Sequence, residues 1–548
     1  MTTTLARIGV IAGDTPAARA VAGAVTSLLT AVGRWVEEVP GGADLASYTA
    51  LVLPRARAWR SVRGAYAGPL LIVDADLLEG ATDPEFASLL GAPAAAEVAV
   101  RETSVLLPRP LPPLGGAALG DAPAGVVAAA APGLGYALPV VLAPALRTVA
   151  GFWSLARVLE EALAALLGED RPLYADPWPR GFRAARALTY DLDGLERAAL
   201  PPAVASGRPA TLFCCADALD RLGPVAPGLE VAAHGDVHRP FLDARTNLAR
   251  VERMLAAFRA AGREPLGFSP PNLAYRSALP PLLDRFAYLR LGYQERTLRF
   301  FPAPLAGGFV VSVSYYPDFL HRYVGAEEYA RLLGRFSAWA AAASALAVPC
   351  FHPCLWDEPL RRFLDTPAPA VWETTLERVC AWWAHRRRAL AAVAAGGEAA
   401  APPDLALARA TPAERVLALR PVNGEPRAAA RLRRAGRVVV EGRGFRVVPA
   451  ADGPAAAVEV PLGAAGRLLG WLPPRVRGSL VRVSNKNGLH ACLYGDLGLA
   501  PEVAGGVLRL PVMAADEPLM VTDPTGADLA RAVRGAVRRL VRGEAPRA

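Results

Sequence analysis

The sequence predicts an α/β chain of three domains: an open sheet with covering helices, a seven-stranded β/α barrel, and a β-rich module that ends in a helix. Three observations lead there. A length of 548 residues is enough for roughly three or four domains. Apolar runs alternate with helical spacings along 5–168 and again along 183–395, the pattern of sheets joined by helical crossovers. Beyond 414 the pattern changes to short apolar runs between turn residues.

In the first domain, 1–168, RIGVIAG reads as a strand and PAARAVAGAVTSLLTAVG as a helix. RWVEEVP, TALVLP and GPLLIVDAD read as further strands, and YALPVVL with FWSLARVLEEALAALLG adds one more strand and helix. The layer resembles a flavodoxin-like or glutamine-amidotransferase-like domain. No cysteine precedes Cys214, so it lacks the thiol nucleophile of such an amidotransferase. It also lacks G-x-G-x-x-G and P-loop glycine patterns, which leaves a docking or regulatory role.

The second domain, 183–395, gives seven strands: ALTYD, ATLFCC, EVAAH, LGFS, AYLRL, FVVSVSYY and VPCFH, with a closing helix over 370–394 that includes Trp382 and Trp383. Residues 396–413 read as a linker. The third domain, 414–548, offers RVLAL, RVVVE, FRVVP, AVEVP, SLVRV, HACLY and VLRLP as strands. A final helix over 528–543 carries Leu529, Val533, Val537 and Leu540 on one face and arginines on the other.

Composition excludes several classes. With 53% hydrophobic and 20% charged residues the chain is too apolar for intrinsic disorder. A net charge of +9, without a long basic tract, does not point to nucleic acid. Six scattered cysteines fit reduced thiols rather than a disulfide framework. The opening MTTTLARIGVIAG has no signal-peptide core, which predicts a cytoplasmic chain. The uncharged stretch 122–146 is broken by Pro123, Pro132, Pro139 and Pro144, so strands with turns are expected there and no membrane span.

Chemistry concentrates in the barrel. Asp191 and Asp193 stand two residues apart at the end of the first strand, where alternate side chains share a face. His234 and His238, spaced i, i+4, follow the third strand, and His352 ends the seventh. All lie at C-terminal strand ends, the face where a barrel assembles its site. Two histidines and an aspartate make a three-ligand divalent site, with zinc the first choice. A second carboxylate can then take a proton from water and another histidine can protonate a departing amine, which describes an amide hydrolase.

These motifs resemble the NodB-type polysaccharide deacetylases, carbohydrate esterases with a distorted seven-stranded β/α barrel. Thr189 to Gly194 is similar to their T-[FY]-D-D-G, in a D-x-D form. His234 to His238 resembles their H-[ST]-x-x-H, Ala210 to Phe213 their second strand, and His352-Pro353 their final catalytic histidine. The likeness spans 183–395. It implies Asp191 as general base, Asp193, His234 and His238 as metal ligands, and His352 as general acid. Two positions depart from the pattern. Ser269 stands where the family's base-orienting arginine is expected, with Arg276 or another arginine a candidate to reach in, and Gly235 replaces a Ser or Thr that braces the histidine loop. Asp318 is a candidate partner for His352. The expected substrate is an N-acylated carbohydrate precursor or another small amide. The alternative, motivated by Ser269, is a degenerate barrel that binds glycans or partner proteins without turnover.

Overall fold

The computed structural model describes residues 5–11, 16–39, 42–54, 62, 64–73, 146, 149–193, 208–314, 326–352, 363, 368 and 370–419, with short strand segments between 97 and 137 and between 439 and 522. The chain divides into two compact units, Met1–Val422 and Asn423–Ala548.

In the first unit, five short apolar strands run parallel in the order Trp35–Val39, Arg7–Ile11, Ala50–Leu53, Leu70–Val73 and Leu134–Ala137. Antiparallel strands Ala128–Ala131 and Ala117–Ala118 extend that sheet. The proline-broken stretch thus contributes strands, and no helix among the described residues is long and apolar enough to cross a membrane. Helices Pro16–Val32 and Val149–Leu167 pack together beside the sheet. The first ends on Gly33, whose φ of 108° lets Arg34 N close back onto Leu29 O at 3.0 Å.

The second sheet is curled and has eight strands. The seven expected strands are present as Leu188–Leu192, Ala210–Cys215, Leu229–Gly235, Gly267–Phe268, Tyr288–Tyr293, Gly308–Val313 and Cys350–Phe351, all parallel. The count of seven is corrected by a hairpin: Ala303–Leu305 pairs antiparallel with Gly308–Val313. Its turn places Ala306 and Gly307 at positive φ, 46° and 90°, a conformation that suits the twist of hairpin strands. The curl brings Ser314, at the end of the sixth parallel strand, within hydrogen-bond reach of Val348, where Ser314 N donates to Val348 O at 2.9 Å.

The two layers of this unit interlock. Gly23 lies so close to the backbone that an added Cβ would stand 2.0 Å from Thr297 O. Nearby, Ser27 Oγ donates to Leu298 O and accepts from Phe300 N, both at 3.0 Å. Arg299 grips Glu38 through two bonds of 2.6 and 2.7 Å, and Phe152, Phe300 and Trp339 pack edge to face.

The long helix begins at Leu376 rather than 370, because Val371–Glu373 forms a strand and Thr375 supplies the cap. Trp382 and Trp383 are buried. Within 396–413, Leu407–Arg409 pairs with Leu173–Ala175. RVLAL, expected as a strand, lies in the helix Pro412–Leu419. Its start is a capping box: Glu414 N donates to Thr411 Oγ1 at 3.2 Å and Thr411 N donates to Glu414 Oε2 at 2.8 Å.

The second unit contains a four-stranded and a three-stranded sheet built from segments of RVVVE, FRVVP, AVEVP, SLVRV and VLRLP among others. HACLY and the helix expected over 528–543 lie outside the described residues.

Candidate active site

Register explains why distant residues converge. Leu192, Cys214, Ala233, Phe268 and Leu289 are successive partners across five parallel strands. One step further along, and therefore on the opposite face, stand Asp193, Cys215, His234, Ser269 and Arg290. His234 is re-aimed by a bulge: Cys214 pairs with Ala233 but Cys215 pairs with Gly235, leaving His234 as the extra residue.

Asp193 is the hub. Its Oδ1 lies 3.2 Å from His234 Nε2 and 3.1 Å from His238 Nε2, while Oδ2 lies 3.2 Å from His352 Nε2. The two ligand-candidate imidazoles stack at 5.4 Å. Burial pushes the Asp193 carboxyl up, but the imidazoles of His234 and His352 outweigh it and hold the group well below the usual carboxylate range. Burial also lowers His238, which favours the neutral ring that a metal requires.

The donor set fits a divalent cation. His234 Nδ1 is 2.7 Å from Ser269 O, a contact that fixes a proton on Nδ1 and turns Nε2 toward Asp193. His234 Nε2 and Asp193 Oδ1 are both buried, and among the described residues neither has a hydrogen-bond partner. With bonds of about 2.0 to 2.1 Å, tetrahedral ligands sit roughly 3.3 Å apart. The 3.1 and 3.2 Å separations are close to that edge. Asp193, His234 and His238 each offer one donor atom within 4.8 Å of the others, and the N, N, O set suits zinc and other transition ions.

Asp191 lies beside this trio, only 8% exposed. Arg290 Nη2 donates to its Oδ1, and Cys350 Sγ donates to Oδ2 at 3.4 Å. Burial alone would raise the carboxyl; Arg290 first, then His234 and His352, hold it below its ordinary value. The rest of the Arg290 guanidinium is equally committed. Nε donates to Ser269 Oγ at 3.0 Å, Nη1 donates to Thr189 Oγ1 at 2.7 Å and to Cys350 Sγ at 3.3 Å, and the plane lies 4.0 Å from the Phe213 ring centroid.

Arg290, Cys350 and Thr189 were not singled out from the sequence as members of the site. A signal for Arg290 existed, since an arginine inside the apolar run AYLRL needs a buried partner. Ser269 is therefore the acceptor for an arginine that arrives from the next strand. Arg276 stays exposed, with its backbone N–H on Phe241 O. Gly235 has no room for the expected Ser or Thr, because a Cβ there would lie 2.8 Å from Val237 O and 3.4 Å from the Pro271 ring. Asp318 lies outside the described residues.

No protein-family model matches the sequence, and no curated protein matches it. Among solved structures, a Mycobacterium smegmatis protein assigned as a polysaccharide deacetylase aligns over 38% of this chain and 93% of its own, at 19% identity and TM-score 0.31. Agd3, described as a carbohydrate deacetylase, aligns over 84% of this chain and 92% of its own, at 12% identity and TM-score 0.27. A 4-alpha-glucanotransferase of Thermococcus litoralis aligns over 36% of this chain and 38% of its own, at 12% identity and TM-score 0.26. At such low similarity the side chains alone bear on the chemistry.

Proposed function

We propose that the chain is a metal-dependent hydrolase that removes an N-acyl group, acetyl first among them, from a sugar or a related small amide. The observation that supports this reading is the meeting of three donor atoms with a tethered carboxylate, Asp191, and with His352, one-third exposed, beside Asp193. Asp193, His234 and His238 would hold the metal, zinc by preference. When bound, it supplies Lewis acidity to an acyl oxygen and to water.

Asp191 is the general base. Arg290 occupies Oδ1, so Oδ2, which among the described residues receives only the weak thiol donor of Cys350, takes a proton from the attacking water. His352 gives a proton through Nε2 to the leaving nitrogen as the C–N bond breaks, and the products are a carboxylate and a free amine. Arg290, wholly buried, keeps the Asp191 carboxylate in one orientation. The rival reading of a non-catalytic binding barrel was motivated by Ser269 alone. Arg290, from the strand beside Ser269, meets Asp191 and weakens that motive.

The test combines zinc analysis with release of acetate from N-acetylated sugar oligomers and small N-acyl amides. Asp191→Asn should lower turnover by roughly 10²- to 10⁴-fold while zinc stays bound. His234→Ala should lose the zinc. Normal turnover by Asp191→Asn overturns the assignment of the base, and zinc-loaded wild-type protein that releases no acyl group from any of these compounds overturns the activity.

A further inference from the structure

His238 is the ligand candidate that the sheet holds least directly. Asp193 and His234 stand at strand ends, whereas His238 lies in the loop beyond the strand Leu229–Gly235 and is one-third exposed. The hydroxyl that the sequence pattern led one to expect at 235 is sterically shut out. Something else must fix the loop.

We infer that Arg250 and Asp236 are positioning residues that clamp the loop on both sides of His238 and so set its ring for metal binding. This rests on the metal reading above. Arg250 projects from the helix Asn247–Ala260 and is buried. Its Nε donates to both Asp236 oxygens, at 2.9 and 3.2 Å, and its Nη2 donates to Asp236 Oδ1 at 2.6 Å. The same group reaches past the histidine: Nη2 donates to Arg239 O and Nη1 to Pro240 O, both at 3.0 Å. Its plane lies 4.0 Å from the Phe241 ring centroid. One guanidinium therefore binds the chain two residues before His238 and at both residues after it.

Asp236 tightens the front half of the loop. Its Oδ1 accepts from Val237 N at 3.1 Å, and Oδ2 accepts from Arg253 Nη2 at 3.1 Å. Its carbonyl accepts from Asp217 N at 3.3 Å, which ties the loop to the segment after the second barrel strand. Metal ligands depend on such outer contacts for their direction, and losing one typically costs 10- to 100-fold in affinity.

The experiment titrates ZnCl₂ into chelator-stripped wild-type protein, Arg250→Met, Arg250→Lys and Asp236→Asn against a competing chromophoric chelator. Co²⁺ absorption serves as a second readout of ligand geometry, and circular dichroism checks the fold. Arg250→Met and Asp236→Asn should bind Zn²⁺ about 10- to 100-fold more weakly with altered Co²⁺ bands, and Arg250→Lys should recover part of the loss. If Arg250→Met does not fold, Asp236→Asn decides alone. Wild-type protein that binds Zn²⁺ while the folded variants bind it equally tightly overturns the clamp and leaves the metal reading intact. Wild-type protein that takes up no Zn²⁺ overturns the metal reading and the clamp with it.

Discussion

Replacing Arg290 by methionine removes the positive charge opposite Asp191 and keeps an apolar stem against Phe213. Both charged groups are shielded from water, Arg290 at 0% and Asp191 at 8% exposure, so solvent screens little of the loss. Breaking a buried pair from one side costs about 3–5 kcal/mol, because the surviving charge is left uncompensated. Asp191→Asn should cost a similar amount by stranding the guanidinium. The double variant strands neither charge. It loses the Arg290 bonds to Ser269 Oγ and Thr189 Oγ1, about 1 kcal/mol each, and should be less destabilised than the two single changes added together by about 3 kcal/mol or more. Urea unfolding of wild type, both single variants and the double variant, followed by tryptophan fluorescence without metal, measures this coupling. Additivity within roughly 0.5 kcal/mol would refute the pairing.

Two further outcomes follow from the same packing. Gly235→Ser restores the residue type expected from the motif, yet its Cβ would press on Val237 O at 2.8 Å, so it should destabilise the protein by about 1–3 kcal/mol and weaken Zn²⁺ binding; a serine variant as stable as wild type in urea counts against the steric account. Glu230 is buried beneath the hydroxyls of Thr211 and Tyr288 and the Glu377 N–H, and burial pushes its carboxyl up from 4.5 to about 7. A carboxyl raised on folding contributes stability that is complete below 4.5 and is lost as pH rises through about 7, in all about 3 kcal/mol. Urea midpoints should fall across that window in wild type and change less in Glu230→Gln; equal slopes would remove Glu230 as the cause.

The fold was legible where the signal is local. Apolar runs marked the seven parallel strands of the curled sheet, and the paired spacings of Asp191 with Asp193 and of His234 with His238 marked residues that the structure gathers, because one strand end or one short loop is enough to bring each pair together. Arg290 was missed because its place depends on the stagger of five strands, a quantity that no single segment encodes. The bulge at His234 is equally silent, since an extra residue shows only against its neighbouring strand. RVLAL reads as a short apolar run, but the Thr411 and Glu414 pair that starts the helix lies wholly ahead of that window. The eighth strand hid behind Ala306, which takes a left-handed turn position usually reserved for glycine or asparagine.

The grip of Pro16–Val32 on residues 297–300 makes the amino-terminal layer a buttress for the curled sheet. A shortened chain starting at residue 183 would strip Ser27 from the Leu298 carbonyl and the Phe300 amide and uncover the Phe300 and Trp339 rings, a short way downstream of Arg290. Truncation would disturb the support of this sheet without touching Asp191, Asp193, His234, His238 or His352.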